Sequence, residues 1–194
     1  MMSQTFLMAI FILLMLEILV IIRNIKTKEY DIFWWFCEMS PILLIIGLLW
    51  GNVQFIKGVI SVGLLPQLGS FIILFMVVFF NYKNPNFGGI KEKGSYYIIV
   101  SFLLHIVSVN LAFFITLDTK ASGISLLYSL LILTFLFITS LLFTDHKKNI
   151  NFIESLDFVS FKPRFYKYLW IICGFLFLIV PTYFLQNWIF SLLT

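Results

Sequence analysis

Four side chains inside long apolar stretches are of types that can do chemistry. Cys37 and Glu38 stand side by side in FWWFCEMSP, residues 33–41, and Glu17 and His105 lie within two other apolar runs. A cysteine is a nucleophile only as its thiolate, and a neighbouring histidine is the usual base that generates one. A carboxylate can orient that histidine and stabilise its charged form. The predicted catalytic set for acyl transfer therefore has Cys37 as nucleophile and His105 as base, with Glu38, or alternatively Glu17, as the orienting carboxylate.

The same ionisable groups support a second interpretation that needs no catalysis. An ionisable side chain inside a bilayer costs a few kcal/mol and usually lines a cavity or pairs with a partner. Glu17, Glu38 and His105 would then form a proton- or cation-coupled binding site in a small carrier or a partner-binding subunit, with no role for Cys37. A metal site built from these side chains is chemically possible, but no compact spacing such as HxxxH or CxxC favours one.

Composition places these groups in a membrane. Hydrophobic residues make up 61% of the 194 residues and charged residues 11%, against about 45–50% and about 25% in soluble domains. About 20 apolar helical residues cross a hydrocarbon core of roughly 30 Å. The sequence therefore predicts an all-α polytopic transmembrane bundle of six helices in a single domain. The predicted spans cover approximately residues 5–22, 32–50, 54–80, 96–116, 124–143 and 168–192.

The third span is long and contains Pro66, so its helix is either kinked or split into two segments at a re-entrant turn. Lys and Arg residues in short loops stay on the cytoplasmic side. If the third span is a single helix, the loops after the first, third and fifth spans lie on one side of the membrane and carry nearly all the basic residues. The loops on the other side then carry Lys120. Lys57, just inside the third span, is expected to reach the outer interface. Charge placement thus predicts one third helix kinked at Pro66 and a multi-pass protein of the cell membrane with both termini outside.

Polar groups on four helices are predicted to share one layer of the cytoplasmic half. A rise of about 1.5 Å per residue places them roughly 9 to 20 Å from the cytoplasmic helix ends, with the second helix counted from Asp31. Pro41 cannot donate to the carbonyl of Cys37, so the second helix is expected to bend or open there. The layer comprises Glu17, Cys37, Glu38, Gln67, Ser70 and His105.

Within this layer, Gln67 and Ser70 are predicted to bind a ligand with Glu17. They share one face of the third helix with Gly63. Serines on the fourth and fifth spans are predicted to be packing positions, since membrane helices associate through small and polar residues. These are Ser101, Ser108, Ser125 and Ser129.

The longest connection, residues 145–167, is predicted to lie in the cytoplasm and to contain a short interfacial helix before Pro163. Ile153, Leu156 and Val159 recur there at helical spacing among polar residues, as in helices that lie on a membrane surface. Such a helix would either cover the cytoplasmic rim of the bundle or act as a lid over a lipid site.

The stretch FWWFCEMSPILLIIGLLWGNVQFIKGVISVGLLPQLGSFI, followed after a loop by FLLHIVSVNLAFFITL, resembles YwaF-like integral membrane proteins. That group has a cysteine near the start of one span, an Asn-rich turn, a Gly-rich span with a glutamine, and a span with a central histidine. Some eukaryotic relatives are phospholipid acyltransferases with an intramembrane Cys/His pair, and a distant branch hydrolyses fatty acyl esters with Thr and His. The resemblance implies Cys37 as nucleophile and His105 as base. This chain departs from the pattern at Phe36, where a polar residue is usual, and at Ile106, where glycine is usual.

Other sites are not indicated. There is no Walker loop, GxSxG, HExxH or dinucleotide fingerprint, so no cofactor is predicted. The net charge of +4 is explained by basic loops that face anionic lipid. Membrane lipids are therefore the predicted partners, and nucleic acid is not. Cys37 and Cys173 lie inside spans, where no disulfide is expected.

Overall fold

The computed structural model describes residues 4–83, 90–144, 151 and 166–194. Within these ranges the chain is helical and has no strand. The elements are α1 (Gln4–Thr27), a 3-10 helix (Tyr30–Trp34), α2 (Phe36–Trp50), α3 (Val53–Phe80), α4 (Ser95–Ile115), α5 (Gly123–Phe143), α6 (Tyr166–Gly174), a π-helical turn (Phe175–Ile179) and α7 (Val180–Leu193). The last three elements follow one another directly and are together called the sixth span.

Five of these helical segments are long and apolar enough to cross a membrane, and α2 is a shorter apolar helix. The predicted all-α transmembrane bundle is thereby confirmed, and the protein is a polytopic membrane protein. The fifteen residues of α2 rise only about 22 Å at 1.5 Å per residue. The preceding 3-10 helix, at about 2 Å per residue, supplies roughly 10 Å more.

The second span therefore differs from the continuous helix expected over residues 32–50. The chain is in 3-10 conformation to Trp34, is extended at Trp35, and becomes α-helical only from Phe36. The side chain of Asn151 accepts a hydrogen bond from the Phe36 amide at 2.9 Å. A side-chain acceptor at a helix start satisfies one of the amides that have no partner within the helix, which stabilises the start at Phe36.

Helix α3 is one helix through Pro66, as predicted, and it lies at the centre of the bundle. It packs against α2, α4, α5 and the sixth span. A proline inside a helix removes the hydrogen bond to the carbonyl four residues earlier, here that of Val62, which is the physical basis of the expected kink.

Contacts between loops and helix ends show that successive helices alternate in direction. At one end, which we call the basic end, Lys93 before α4 forms an ion pair with Glu29 after α1 at 2.5 Å. At the opposite end, Asn52 before α3 donates to the Tyr128 hydroxyl of α5 at 3.0 Å. The basic end is the one that the charge pattern assigns to the cytoplasm.

Asn151, from the long connection before α6, joins three elements at the basic end. Its side-chain amide donates to the Trp34 carbonyl and to the Ser140 hydroxyl, each at 2.8 Å. Its own carbonyl accepts from the Trp170 indole at 3.0 Å. Its φ of 54° is one that Asn tolerates better than most residues. The predicted interfacial helix, around Ile153 to Val159, lies outside the described residues.

Helix α3 makes a close contact with α5 at Gly58. A Cβ atom on Gly58 would lie 2.8 Å from the Tyr128 Cβ and 3.1 Å from the Ser125 carbonyl oxygen. The Ser129 hydroxyl lies 3.2 Å from the Gly58 carbonyl oxygen. Small residues that let two backbones approach are a main source of helix association in membranes. This is the packing role expected for the two serines.

Substitution Gly58→Ala is expected to lower the thermal stability of the detergent-solubilised protein, because the added methyl group would push α3 away from α5. Overpacking of this kind costs about 1–3 kcal/mol. Gly69→Ala in the same helix is the matched control, since nothing lies within 4 Å of its added Cβ. Equal melting temperatures for the two variants would contradict the close α3–α5 contact.

Candidate functional site

A buried ion pair between Arg23 of α1 and Glu38 of α2 is the centre of the candidate site. The two side chains are 2% and 4% exposed, and one guanidinium nitrogen lies against a Glu38 oxygen. Arg23 was expected among the loop charges after the first span, and the structure instead places it inside α1. Because α1 and α2 form an antiparallel hairpin, residues fifteen apart in sequence meet across it.

Other polar atoms of this pair also have hydrogen-bond partners. Arg23 donates to the Asn24 side-chain oxygen at 2.9 and 3.1 Å and to the Ser101 hydroxyl at 3.1 Å. Asn24 in turn donates to the other oxygen of Glu38 at 3.2 Å, and the guanidinium lies 5.0 Å from the centre of the Tyr97 ring. A buried ion pair is tolerated only when its remaining hydrogen-bonding capacity is met in this way. We call these five residues the charged cluster.

The position of Glu38 also differs from the sequence estimate. The sequence predicts Glu38 about seven residues into a helix counted from Asp31, whereas it lies in the first turn of α2. The N-terminus of a helix carries a partial positive charge, so a carboxylate is stabilised there. Arg23 and the helix start thus both favour the ionised form of Glu38.

Glu17 is the second buried carboxyl group, on the same face of α1 as Arg23. It is 6% exposed, and neither of its oxygens has a hydrogen-bond partner among the described residues. It is close enough to Glu38 and Arg23 for electrostatic interaction with both. His105, 5% exposed on α4, is within electrostatic range of Arg23 and follows Ser101 by one helical turn.

Cys37 is half-buried and packs against a small apolar cluster that includes Leu16 of α1 and Leu104 of α4. The charged groups that act on its thiol are Glu38 and Arg23. Its carbonyl lies 3.0 Å from the Ser40 hydroxyl, which replaces the amide donor that Pro41 lacks. The pairing of Cys37 with His105 stays a prediction.

A hydrogen-bonded triangle lies one turn from Cys37 and joins α2, α3 and α4. The Gln67 amide donates to the Ser40 hydroxyl at 2.7 Å and accepts from the Ser108 hydroxyl at 2.9 Å. The two hydroxyls are 3.2 Å apart. All three side chains are buried. Gln67 is therefore held in one orientation by two neighbouring helices.

Gln67 also faces a cavity between α2, α3, α5 and the sixth span, with an empty volume of about 550 Å³ that includes its opening. Among the described residues, its lining includes three of the predicted site residues, Cys37, Gln67 and Ser70, but not Glu17, Glu38 or His105. Most of the lining is apolar. The other described lining residues are Trp35, Phe36, Val62, Pro66, Leu133, Leu136, Asn151, Trp170 and Leu178.

One face of α4 connects the cavity with the charged cluster. Ser101, His105 and Ser108 are buried and follow one another at i, i+4 and i+7, so they lie on one side of the helix. Ser101 accepts from Arg23 at one end of this row, and Ser108 donates to Gln67 at the other. This face of α4 therefore lies between the cavity wall and the ion pair.

A second set of buried polar side chains lies near the opposite end. Lys57 is 1% exposed and its ammonium lies 5.8 Å from the centre of the Phe113 ring, so the expected extension to the interface is wrong. Gln186 of α7 donates to the Ser61 hydroxyl at 2.8 Å. Phe113 is in the last turn of α4, where the negative end of the helix dipole favours a cation.

No group of three or more His, Cys, Asp or Glu side chains within the described ranges is placed to hold a metal ion. Comparison of the chain with protein-family models, with curated proteins and with solved structures gives no match.

Glu38→Gln is expected to lower the free energy of unfolding by about 3–5 kcal/mol, because it leaves the Arg23 guanidinium buried without its counter-charge. The double variant Arg23→Met with Glu38→Gln is expected to recover most of that loss, since no charge then remains buried. Melting temperatures in detergent measure both effects.

Lys93→Met is the control for the single variant. It removes an ion pair whose side chains are 30% and 27% exposed, and pairs of this kind contribute about 1 kcal/mol or less. A Glu38→Gln variant no less stable than Lys93→Met would contradict the central role of the buried pair.

Proposed function

We propose that the protein is a non-catalytic membrane carrier or ligand-binding subunit. In this proposal its cavity holds a small ligand, and the charged cluster, with Glu17 and His105, responds to that ligand. The observation that carries the proposal is the double role of Gln67. Its side chain lines the cavity and is hydrogen-bonded to Ser40 and Ser108, which lie two residues from Glu38 and three from His105.

The lining supports an uncharged, mostly apolar ligand with few hydrogen-bonding groups. Val62, Leu133 and Leu178 form its apolar part, and the described lining contains no charged side chain. Ligand sites are typically apolar cavities with a small number of placed polar groups. Here Ser70 is such a group, because Gln67 is already engaged by its two serine partners.

The position of the polar groups supports one orientation of the ligand. Cys37 and Asn151 lie near the basic end, where α2 begins and where Asn151 is bonded to Trp34. Leu178 lies farther along the sixth span, toward the middle of the bundle. An amphipathic ligand would therefore place its polar group toward the basic end and its apolar part toward the middle.

Ligand binding would reach the ion pair through hydrogen bonds. A ligand that pulls the Gln67 side chain into the cavity would lengthen or break its hydrogen bonds to Ser40 and Ser108. Coupling between two sites of this kind is typically about 1–3 kcal/mol, or roughly 5- to 150-fold in affinity.

A photoreactive long-chain alcohol that carries a diazirine tests the cavity in protein reconstituted into lipid nanodiscs. After irradiation, mass spectrometry is expected to find the label on the peptides that contain Trp170 and Leu178. Ser70→Trp is expected to reduce this labelling by filling the cavity. Ile72→Trp is the matched control, because Ile72 is 59% exposed on the same helix and is not among the lining residues. Equal labelling of both variants would rule out the cavity as the binding site.

The same probe tests the coupling. The double variant Arg23→Met with Glu38→Gln replaces no described lining residue, yet it is expected to change the affinity for the probe by about fivefold or more. An unchanged affinity would leave a cavity without a coupled ion pair and would contradict the carrier proposal.

Acyl transfer through Cys37 is a second candidate, supported by the presence of that residue in the cavity lining. In this reaction the thiolate attacks the carbonyl carbon of an acyl ester, a thioester forms, and the alcohol leaves with a proton from His105. The acyl group then passes to a second hydroxyl, whose proton returns to His105. The roles of Cys37 and His105 are those implied by the resemblance to YwaF-like proteins.

Labelling with an acyl-type thiol probe in native membranes decides between the two candidates, with Cys173 as the internal control because it is also a half-buried free cysteine. The binding function predicts slow labelling of both cysteines and unchanged alcohol capture in Cys37→Ala. Selective labelling of Cys37 that disappears in His105→Ala would establish acyl transfer instead.

A further inference from the structure

Glu17 is the one carboxyl group of the site whose oxygens have no described partner. Glu38, 3% exposed, has Arg23 and Asn24 as partners. Glu17, 6% exposed, has no hydrogen bond to either oxygen within the described part of the chain. The fold thus supplies hydrogen-bond donors to the carboxyl group of Glu38 but, among the described residues, none to that of Glu17.

We propose that Glu17 is the proton-binding site of the protein, protonated in the present conformation, and that loss of its proton loosens the Arg23–Glu38 pair. This inference rests on the proposed function, because it names the ion to which ligand binding is coupled. The proton leaves to water or a buffer base, and the negative charge remains on the Glu17 carboxylate.

The surroundings of Glu17 favour the neutral form. An ionised carboxylate buried without donors costs several kcal/mol after relaxation, whereas an unsatisfied neutral polar group costs about 1–3 kcal/mol. Arg23 does not supply the missing donors, because its nitrogens bond to Asn24, Ser101 and Glu38. As an intact pair, Arg23 and Glu38 present no net charge to Glu17.

The titratable and charged groups near this site come from all the elements packed against α1. They are Arg23 on α1 itself, Glu29 before the 3-10 helix, Cys37 and Glu38 on α2, and Tyr96, Tyr97 and His105 on α4. A metal cation such as Na⁺ or Ca²⁺ requires several oxygen ligands, but both oxygens of Glu38 are already bonded to Arg23 and Asn24. A proton needs only one carboxylate oxygen and is therefore the ion that Glu17 suits.

Ionisation of Glu17 would change the partners of Arg23. A second negative charge within electrostatic range competes with Glu38 for the guanidinium. Arg23 can approach Glu17 only if its bonds to Asn24 and Ser101 lengthen or break. Ser101 begins the α4 row that ends at Ser108, the hydrogen-bond partner of Gln67. The proton on Glu17 and the ligand in the cavity therefore act on hydrogen bonds to the same face of α4.

Infrared difference spectroscopy between acid and alkaline pH tests the proposal on the full chain in lipid bilayers. The wild-type protein is expected to show the C=O stretch of a carboxylic acid at the high wavenumber typical of one without hydrogen bonds, and to lose it at alkaline pH. Glu17→Gln is expected to lack this band while it keeps the neutral shape of the protonated group. Glu92→Gln is the control, because Glu92 is exposed, and is expected to keep the band.

Two results would overturn the inference. One is a high-wavenumber band that persists in Glu17→Gln, which would place the proton on another group such as Glu38. The other is the absence of such a band from the wild type, which would mean that Glu17 is ionised. If Glu17→Gln fails to fold, Glu17→Met gives the same comparison without a polar group.

The outcome is separable from that of the proposed function. If only Glu17→Gln loses the band and Ser70→Trp labels as well as the wild type does, the proton site is supported and the cavity function is ruled out. If Ser70→Trp reduces labelling but no Glu17 band is found, the cavity function is supported and the proton site is ruled out. If both hold, the affinity for the alcohol is expected to change by at least about fivefold between the two pH values, and this change should vanish in Glu17→Gln.

Discussion

The buried pair of Arg23 and Glu38 is the interaction on which the rest of this structure depends. Neither charge is acceptable alone inside a bilayer, so α1 and α2 must lie side by side with one register between them. Asn24 and Ser101 complete the hydrogen bonding, which brings α4 against the same place. The start of α2 follows from this requirement, because Glu38 reaches Arg23 from the first helical turn, and Asn151 holds that turn from outside.

Around this pair, the bundle is held by small residues and hydrogen bonds. Apolar surface drives helices into the membrane but drives them together only weakly, since lipid tails are as apolar as leucine. The central position of α3 depends instead on small residues and on hydrogen bonds between helices. Gly58 allows α5 to approach, and Gln67 bonds to α2 and α4. The cavity lies beside these contacts, and the Gln67 side chain lines it.

The proposed function depends on how close these two systems lie to each other. The cavity by itself would hold an apolar molecule, and the ion pair by itself would stabilise a helical hairpin. Ser101 on one side and Ser108 on the other belong to the same face of α4, and the proposal is that movement of this face links the two. A carrier or ligand-responsive subunit needs such coupling, whereas an acyltransferase needs the thiol of Cys37 close to a base.

The sequence by itself determined the fold class and the single third helix through Pro66, and it selected Cys37, Gln67 and Ser70, which line one cavity. Hydropathy and helical periodicity are local properties, and they can be read from neighbouring residues. Only the tertiary structure decided that Arg23 is the partner of Glu38, that Asn151 holds the start of α2, and that Lys57 is buried. Each of these depends on which helix face meets which neighbour, and on the direction of a long side chain. The different environments of Glu17 and Glu38 arise in the same way. Two carboxyl groups of equal chemistry differ because Glu38 is bonded to Arg23 and Asn24 at a helix start, whereas the oxygens of Glu17 are buried without a hydrogen-bond partner among the described residues.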